Sequence, residues 1–144
     1  MTASLIDTNV LLDVVTADAV WADGSVAALD AAAMAGPVWI NDVVYAELSV
    51  RFASIEALDA MLGEAQIDLA PMPRAALFLA GKAFVNYRAA GGRRTGVLPD
   101  FFLGAHAAVR GWRLLTRDLA RYRTYFPTID LVTPQPQGAG RGDV

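Results

Sequence analysis

Short apolar runs alternate with longer stretches of helical periodicity along the chain. ASLI (3–6), VWI (38–40), IDLA (67–70), RLLT (113–116) and IDLV (129–132) read as strands, the third being the weakest and ending before Pro71. Helical patterns occupy 9–16, 20–35, 42–53, 55–65, 73–90, 99–111 and a short stretch at 118–125. Strands that alternate with helices need crossover connections. The pattern therefore predicts an α/β fold with a mostly parallel sheet of about five strands, covered by helices on both faces. No internal repeat interrupts it.

Length and composition narrow this picture. The 144 residues suit one domain, and 55% hydrophobic content excludes a disordered chain. The domain is expected over 1–133. The Pro- and Gly-rich end PQPQGAGRGDV (134–144) is expected to be disordered. It contains Arg141-Gly142-Asp143, an adhesion-like tripeptide for which chance is the better reading. Apolar runs fall far short of the ~20 residues of a membrane span, and no basic stretch followed by an apolar run marks a signal peptide. With no cysteine, disulfides and zinc–thiolate sites are excluded, and a reducing cytoplasm is the expected compartment. The net charge of −3 gives no general affinity for nucleic acid, so any such binding needs a local basic patch.

The acids raise the first chemical question. In SLIDTNVLLDVV, Asp7 sits between an apolar strand and an apolar helix; Asn41-Asp42 follow the second strand, and Asp118 follows the fourth by two residues. Ligand sites of open α/β sheets lie beyond the carboxyl ends of the strands. Each of these residues could equally be a helix N-cap. Glu47 lies mid-helix in NDVVYAELSVRF, close to the apolar arc, where it is either partly buried or paired with Arg51 at i,i+4. Asp100 follows Pro99, a good first helical residue, and so falls in a first turn that favours an anion. On that helix, Phe101, Phe102, Ala105, Ala108, Val109 and Trp112 form the expected core face. Gly104, Ala107 and Gly111 lie beside the acid and leave room for a close neighbour or a ligand. His106 is the only histidine and cannot form a metal-binding pair; a structural role is expected for it.

Four segments taken together say more than any one residue. LIDTNVLLD, VVYAELSVRF, LPDFFLGAHA and LLTRDLARYRTYFP occur in this order and resemble the four motifs of the PIN domain family. The last resembles the VapC-like toxins of bacterial toxin–antitoxin pairs. The likeness runs from about Leu5 to Thr133. It implies a three-layer α/β/α sandwich and a metal-dependent endoribonuclease, with the family's four acids at Asp7, Glu47, Asp100 and Asp118 and its polar neighbours at Thr8, Asn9 and Thr116. It also implies a homodimer and a cognate antitoxin that occludes the site. The bulky pair Phe101-Phe102 after Asp100 departs from the pattern and touches specificity more than metal binding.

Elementary electrostatics agrees with that implication. Two carboxylates ~4 Å apart repel by about 4 kcal/mol at an effective dielectric of ~20, so four together need a cation. Oxygen ligands without His or Cys select magnesium or manganese, which can activate a water for in-line attack on a phosphodiester. Phosphate must still approach an acidic site. Arg93 and Arg94, in the loop before Asp100, and Arg117, Arg121 and Arg123, around Asp118, are candidate RNA contacts; a solvated basic loop is the alternative. GGRRTG is no phosphate-binding P-loop, since it lacks the Lys-Ser/Thr pair and a preceding strand. A haloacid-dehalogenase-like phosphohydrolase would need a second acid where Asn9 stands. A receiver domain would need a lysine after the last strand, whereas Lys82 lies in a helical pattern. An inactive PIN-like binding module would not need all four acids.

Overall fold

The computed structural model of the chain describes residues 1–94 and 96–138. Leu5 and Ile6 follow Ser4 in β1 (Ser4–Ile6), and all three are fully buried. Successive strand residues point to opposite faces, so both faces of the sheet are covered at its centre. The remaining strands are β2 (Val38–Asn41), β3 (Ile67–Ala70), β4 (Arg113–Leu115) and β5 (Leu131–Val132). They form one sheet in the order β3-β2-β1-β4-β5, with every pairing parallel. The chain adds strands on one side of β1 as far as β3, then crosses to the other side for β4 and β5. With right-handed crossovers, this reversal puts the two sets of connecting helices on opposite faces. The result is the expected three-layer α/β/α architecture, with a sheet that is wholly rather than mostly parallel.

The helices are α1 (Thr8–Val15), α2 (Ala22–Ala35), α3 (Asp42–Ser49), α4 (Ile55–Glu64), α5 (Arg74–Ala89), α6 (Leu98–Arg110) and α7 (Ala120–Tyr125). Asn41 caps α3, its side-chain oxygen accepting from Val43 N and Val44 N at 3.1 Å each. Gly111 ends α6 in the left-handed region at φ 67°, where glycine pays no steric penalty. None of the described helices is long and apolar enough to cross a membrane.

One expectation needs correction. The core face of α6 is not the stripe read from its periodicity. Leu103, Gly104, His106 and Ala107 are buried along with Phe101 and Ala105, Phe102 and Ala108 are only partly so, and Val109 is 40% exposed. The helix packs against α5, α7 and β4, so a single apolar stripe does not describe it. Gly104 has a close neighbour, though it is no ligand: a Cβ there would lie 2.3 Å from the Phe126 ring. The C-terminal segment packs against α2 as far as it is described. Pro134 is buried, Gln137 N donates to Val20 O at 2.7 Å, and the Gln135 carbonyl fills the space beside Gly24. Arg141, Gly142 and Asp143 lie outside the described residues.

Candidate functional site

The sheet reverses its direction of growth between β1 and β4, and a crevice opens at the carboxyl end of two strands whose following loops part there. Asp7 leaves β1 at this point, and Thr116 to Asp118 leave β4. Asp7 occupies the N-cap position of α1 in an extended conformation (φ −72°, ψ 148°), yet its side chain makes no capping hydrogen bond. Its Oδ2 instead accepts from the Thr116 hydroxyl at 2.8 Å and the Tyr122 hydroxyl at 3.2 Å, with Asn9 Nδ2 at the margin, 3.5 Å away. The backbone N–H of Asp118 donates to the Thr116 hydroxyl at 3.0 Å, and that of Arg117 approaches Asn9 Oδ1 at 3.4 Å. The two loops are therefore laced together through Thr116 and Asn9.

Glu47 reaches the same edge from α3. It is exposed and accepts a 2.8 Å hydrogen bond from the Thr8 hydroxyl, rather than being half-buried or paired with Arg51. Asp100, in the first turn of α6, and Asp118 approach from the other side, and Arg121 of α7 stands between them. The Arg121 guanidinium donates to Asp100 Oδ2 and lies 3.7 Å from Asp118 Oδ2.

The charges feel one another. Burial above all, with a contribution from the Glu47 charge, holds the Asp7 carboxyl above the usual range, against the donors Thr116 and Tyr122 and the Thr8 backbone N–H. Burial and then the charges of Asp7 and Asp118 push Asp100 up to about 6, despite the opposing pull of Arg121. The Tyr122 hydroxyl is raised well above its ordinary value by burial and by Asp7, Asp100 and Asp118, and so stays a proton donor. The four acids thus share one edge and one electrostatic environment. Among the described residues, however, no three Asp, Glu or His side chains converge closely enough to hold an ion as they stand. The donor chemistry fits a hard cation: the acids are all carboxylates, Thr8, Asn9 and Thr116 add only polar side chains, and imidazole and thiolate are absent from the edge. Magnesium commonly takes one or two direct carboxylates and keeps its waters.

The other expected residues divide. Arg117 is engaged within the fold. Its Nε lies 3.4 Å from Oδ2 of the buried Asp13, and its guanidinium stacks 4.7 Å from the Trp21 ring centre. Asp13 also accepts from Ser25 Oγ at 2.9 Å. Arg93 and Arg94 are exposed in the loop before α6; the Arg94 N–H donates to the Tyr87 hydroxyl at 3.2 Å. Arg123 is exposed on α7. His106 is fully buried and stacks at 5.3 Å on Trp112, with Nδ1 3.3 Å from Asn41 Nδ2; burial and Arg110 lower its pKa and keep it neutral. Sequence reasoning missed Tyr122 and Asp13. Tyr122 shares an i,i+4 face with Phe126 and reads as core. Asp13 gave the better signal, an acid inside the apolar run VLLDVV.

A parallel α/β/α sheet with acids gathered at its reversal point defines the class. A family model described as PIN domain matches residues 4–127, and the chain belongs to the PIN domain family. No curated protein matches it in sequence. Solved structures share the fold at low identity. VapBC2 from Rickettsia felis, solved bound to a DNA fragment from its promoter, is similar with a TM-score of 0.71 and 16% identity, over 93% of this chain and 100% of that one. DNA-bound VapBC from Salmonella typhimurium has a TM-score of 0.69 and 16% identity, over 92% and 98%. VapBC-5 from Mycobacterium tuberculosis, a member of the VapBC family of toxin–antitoxin systems, has a TM-score of 0.55 and 20% identity, over 94% and 99%.

Proposed function

We propose that the protein is a cytoplasmic, VapC-like toxin: a magnesium- or manganese-dependent endoribonuclease, homodimeric, restrained by a cognate antitoxin. One observation carries the reading. Asp7 stands where a helix cap would stand and makes no capping bond, while its charge couples to Glu47 and Asp100 at the sheet's reversal point. An acid with only a capping role would not be turned away from the helix. Membership of the PIN family and similarity to VapBC structures support the toxin assignment and an antitoxin partner.

Asp7, Glu47, Asp100 and Asp118 would hold the cation, with Thr8, Asn9 and Thr116 orienting the carboxylates. When bound, the ion supplies Lewis-acid activation of water and balances charge on the phosphodiester. Thr116 and Tyr122 orient Asp7 by donating to Oδ2, and they favour its charged form against the burial that raises its pKa. Thr8 sets the rotamer of Glu47. The raised pKa of Asp100 suits it to accept a proton near neutral pH. Exposed Arg93 and Arg94 supply positive charge for the RNA backbone in an otherwise acidic protein. Arg117 and Arg121 are already engaged by acids.

The test is cleavage of RNA by the purified protein in manganese or magnesium, abolished by chelation. Asp100→Asn, purified alike, should be silent. Equal degradation by wild type and variant would expose a contaminant, and no cleavage across a broad metal screen would favour an inactive binding module.

A further inference from the structure

Arg121 is the one cation that the described residues place between two of the four acids. It touches Asp100 and faces Asp118. Its side chain is 18% exposed, against 30% for Asp100 and 48% for Asp118. The fold puts it there. The next residue, Tyr122, is fully buried with its hydroxyl on Asp7, and Phe126, just past the end of α7, lies against Gly104 of α6. The α7 backbone is thus anchored on both sides of the site, and the guanidinium is directed between α6 and the loop after β4.

The geometry points to Arg121 as an internal counter-ion that latches Asp100 and Asp118 in the metal-free protein and must release them before a divalent cation binds. This rests on the reading of the four acids as the metal-binding set. A guanidinium has only donors, so a carboxylate oxygen it holds is withheld from a cation. Its own charge repels a second cation a few ångströms away. The two occupancies therefore exclude each other, and the apparent metal affinity is reduced by the fraction of molecules still latched. The acids as they stand fit this account, since no three of them converge on a common point among the described residues. Release needs only new side-chain rotamers of Arg121, because Tyr122 and Phe126 hold the backbone. The competing role is a permanent scaffold in which Arg121 keeps the two acids ready for the ion.

The two roles predict opposite signs for metal affinity. Manganese binding to the full chain is measured calorimetrically without RNA, in wild type and Arg121→Gln. The latch predicts tighter binding by the variant, on the order of tenfold. Unchanged or weaker binding would overturn it and make Arg121 a scaffold. A second measurement needs no variant: the Arg121 Nη–H resonances followed by NMR during magnesium titration, since Nη1 makes both contacts. They should shift and lose protection from solvent exchange as the site fills. Nη–H groups that stay protected with magnesium bound would overturn the latch even if the variant failed to fold. If neither protein binds manganese or magnesium, the metal reading falls as well. Binding at unchanged affinity removes the latch alone.

Discussion

Replacing Asp100 by Asn should stabilise the metal-free protein, and the size of the effect follows from the site. Burial and the charges of Asp7 and Asp118 raise the Asp100 carboxyl from 3.8 to about 6, after Arg121 has drawn it down. At about 1.36 kcal/mol per pKa unit, an ionised Asp100 would cost on the order of 3 kcal/mol at neutral pH. The side chain is 30% exposed, and solvent screening reduces this to roughly 1–2 kcal/mol. Opposing it, a first-turn carboxylate favours the helix dipole by about 0.3–1 kcal/mol, which Asn forgoes. The balance is a gain of about 1 kcal/mol, or a melting midpoint higher by roughly 2–5 °C in a domain of this size. The pH dependence gives the effect its signature. Between pH 6 and 3.8 the folded wild type binds a proton at Asp100 that the unfolded chain does not, so wild-type stability rises as the pH falls through about 6. The variant lacks that contribution. Its advantage should be greatest at pH 7.5 and shrink towards pH 5. Thermal melts followed by circular dichroism in chelator, at both pH values, read this directly. Added manganese should then favour the wild type by linkage and narrow or invert the order. A variant that melts lower than wild type in chelator at pH 7.5, or an advantage that does not change with pH, would refute the charge-crowding argument.

Three further outcomes are expected. Tyr122→Phe should lower stability by about 1 kcal/mol in urea melts, because a buried donor to Asp7 is lost, and should reduce RNA cleavage in a protein that still folds; full activity would remove the hydroxyl from the site. Asp13→Ala should cost about 2–3 kcal/mol by urea denaturation, since it strands Arg117 and Ser25, and a loss under 1 kcal/mol would show that Arg117 finds water instead. Replacing both Arg93 and Arg94 with Ala should weaken RNA binding and flatten its salt dependence while leaving manganese affinity nearly unchanged; an unaltered salt slope would return the loop to a solvated surface.

What could be read from the chain, and what could not, divides along the range of the interactions. Strand, acid and helix succeed one another within a few residues. That local grammar located β1, Asp7 and α1 almost to the residue, and did the same for β4 and Asp118, because burial pattern and turn chemistry act at short range. Even β3, the weakest expectation, forms where read, as an edge strand with Asp68 and Leu69 exposed. The uncertainty at Asp7 was between a cap and a site. Local sequence could not show that the cap bond is absent, because the groups that hold the Asp7 side chain instead are Thr116 and Tyr122, 109 and 115 residues away. The α6 face was misread for a related reason. Periodicity assumes one buried side, and a helix with neighbours on several sides buries Gly104 and His106 as readily as Phe101.

The arginines show the same limit in electrostatic form. Arg117 and Arg121 look alike in TRDLAR, both flanking an acid and both suited to phosphate. The fold gives Arg117 to Asp13 and Trp21, where it ties the loop after β4 to α1, and gives Arg121 to Asp100 and Asp118. One charge therefore supports the loop that carries Asp118, while the other competes for the carboxylates themselves. Net charge cannot distinguish these uses, because each arginine contributes the same +1 to the total of −3. Only the identity of the facing carboxylate separates them. Asp13 is 3% exposed, so a cation withdrawn from it would leave a buried charge unpaired. Asp118 is 48% exposed in its side chain and can be rehydrated at little cost. A pair with a buried acid is therefore held in place, and a pair with a solvated acid is the one that can exchange for another cation.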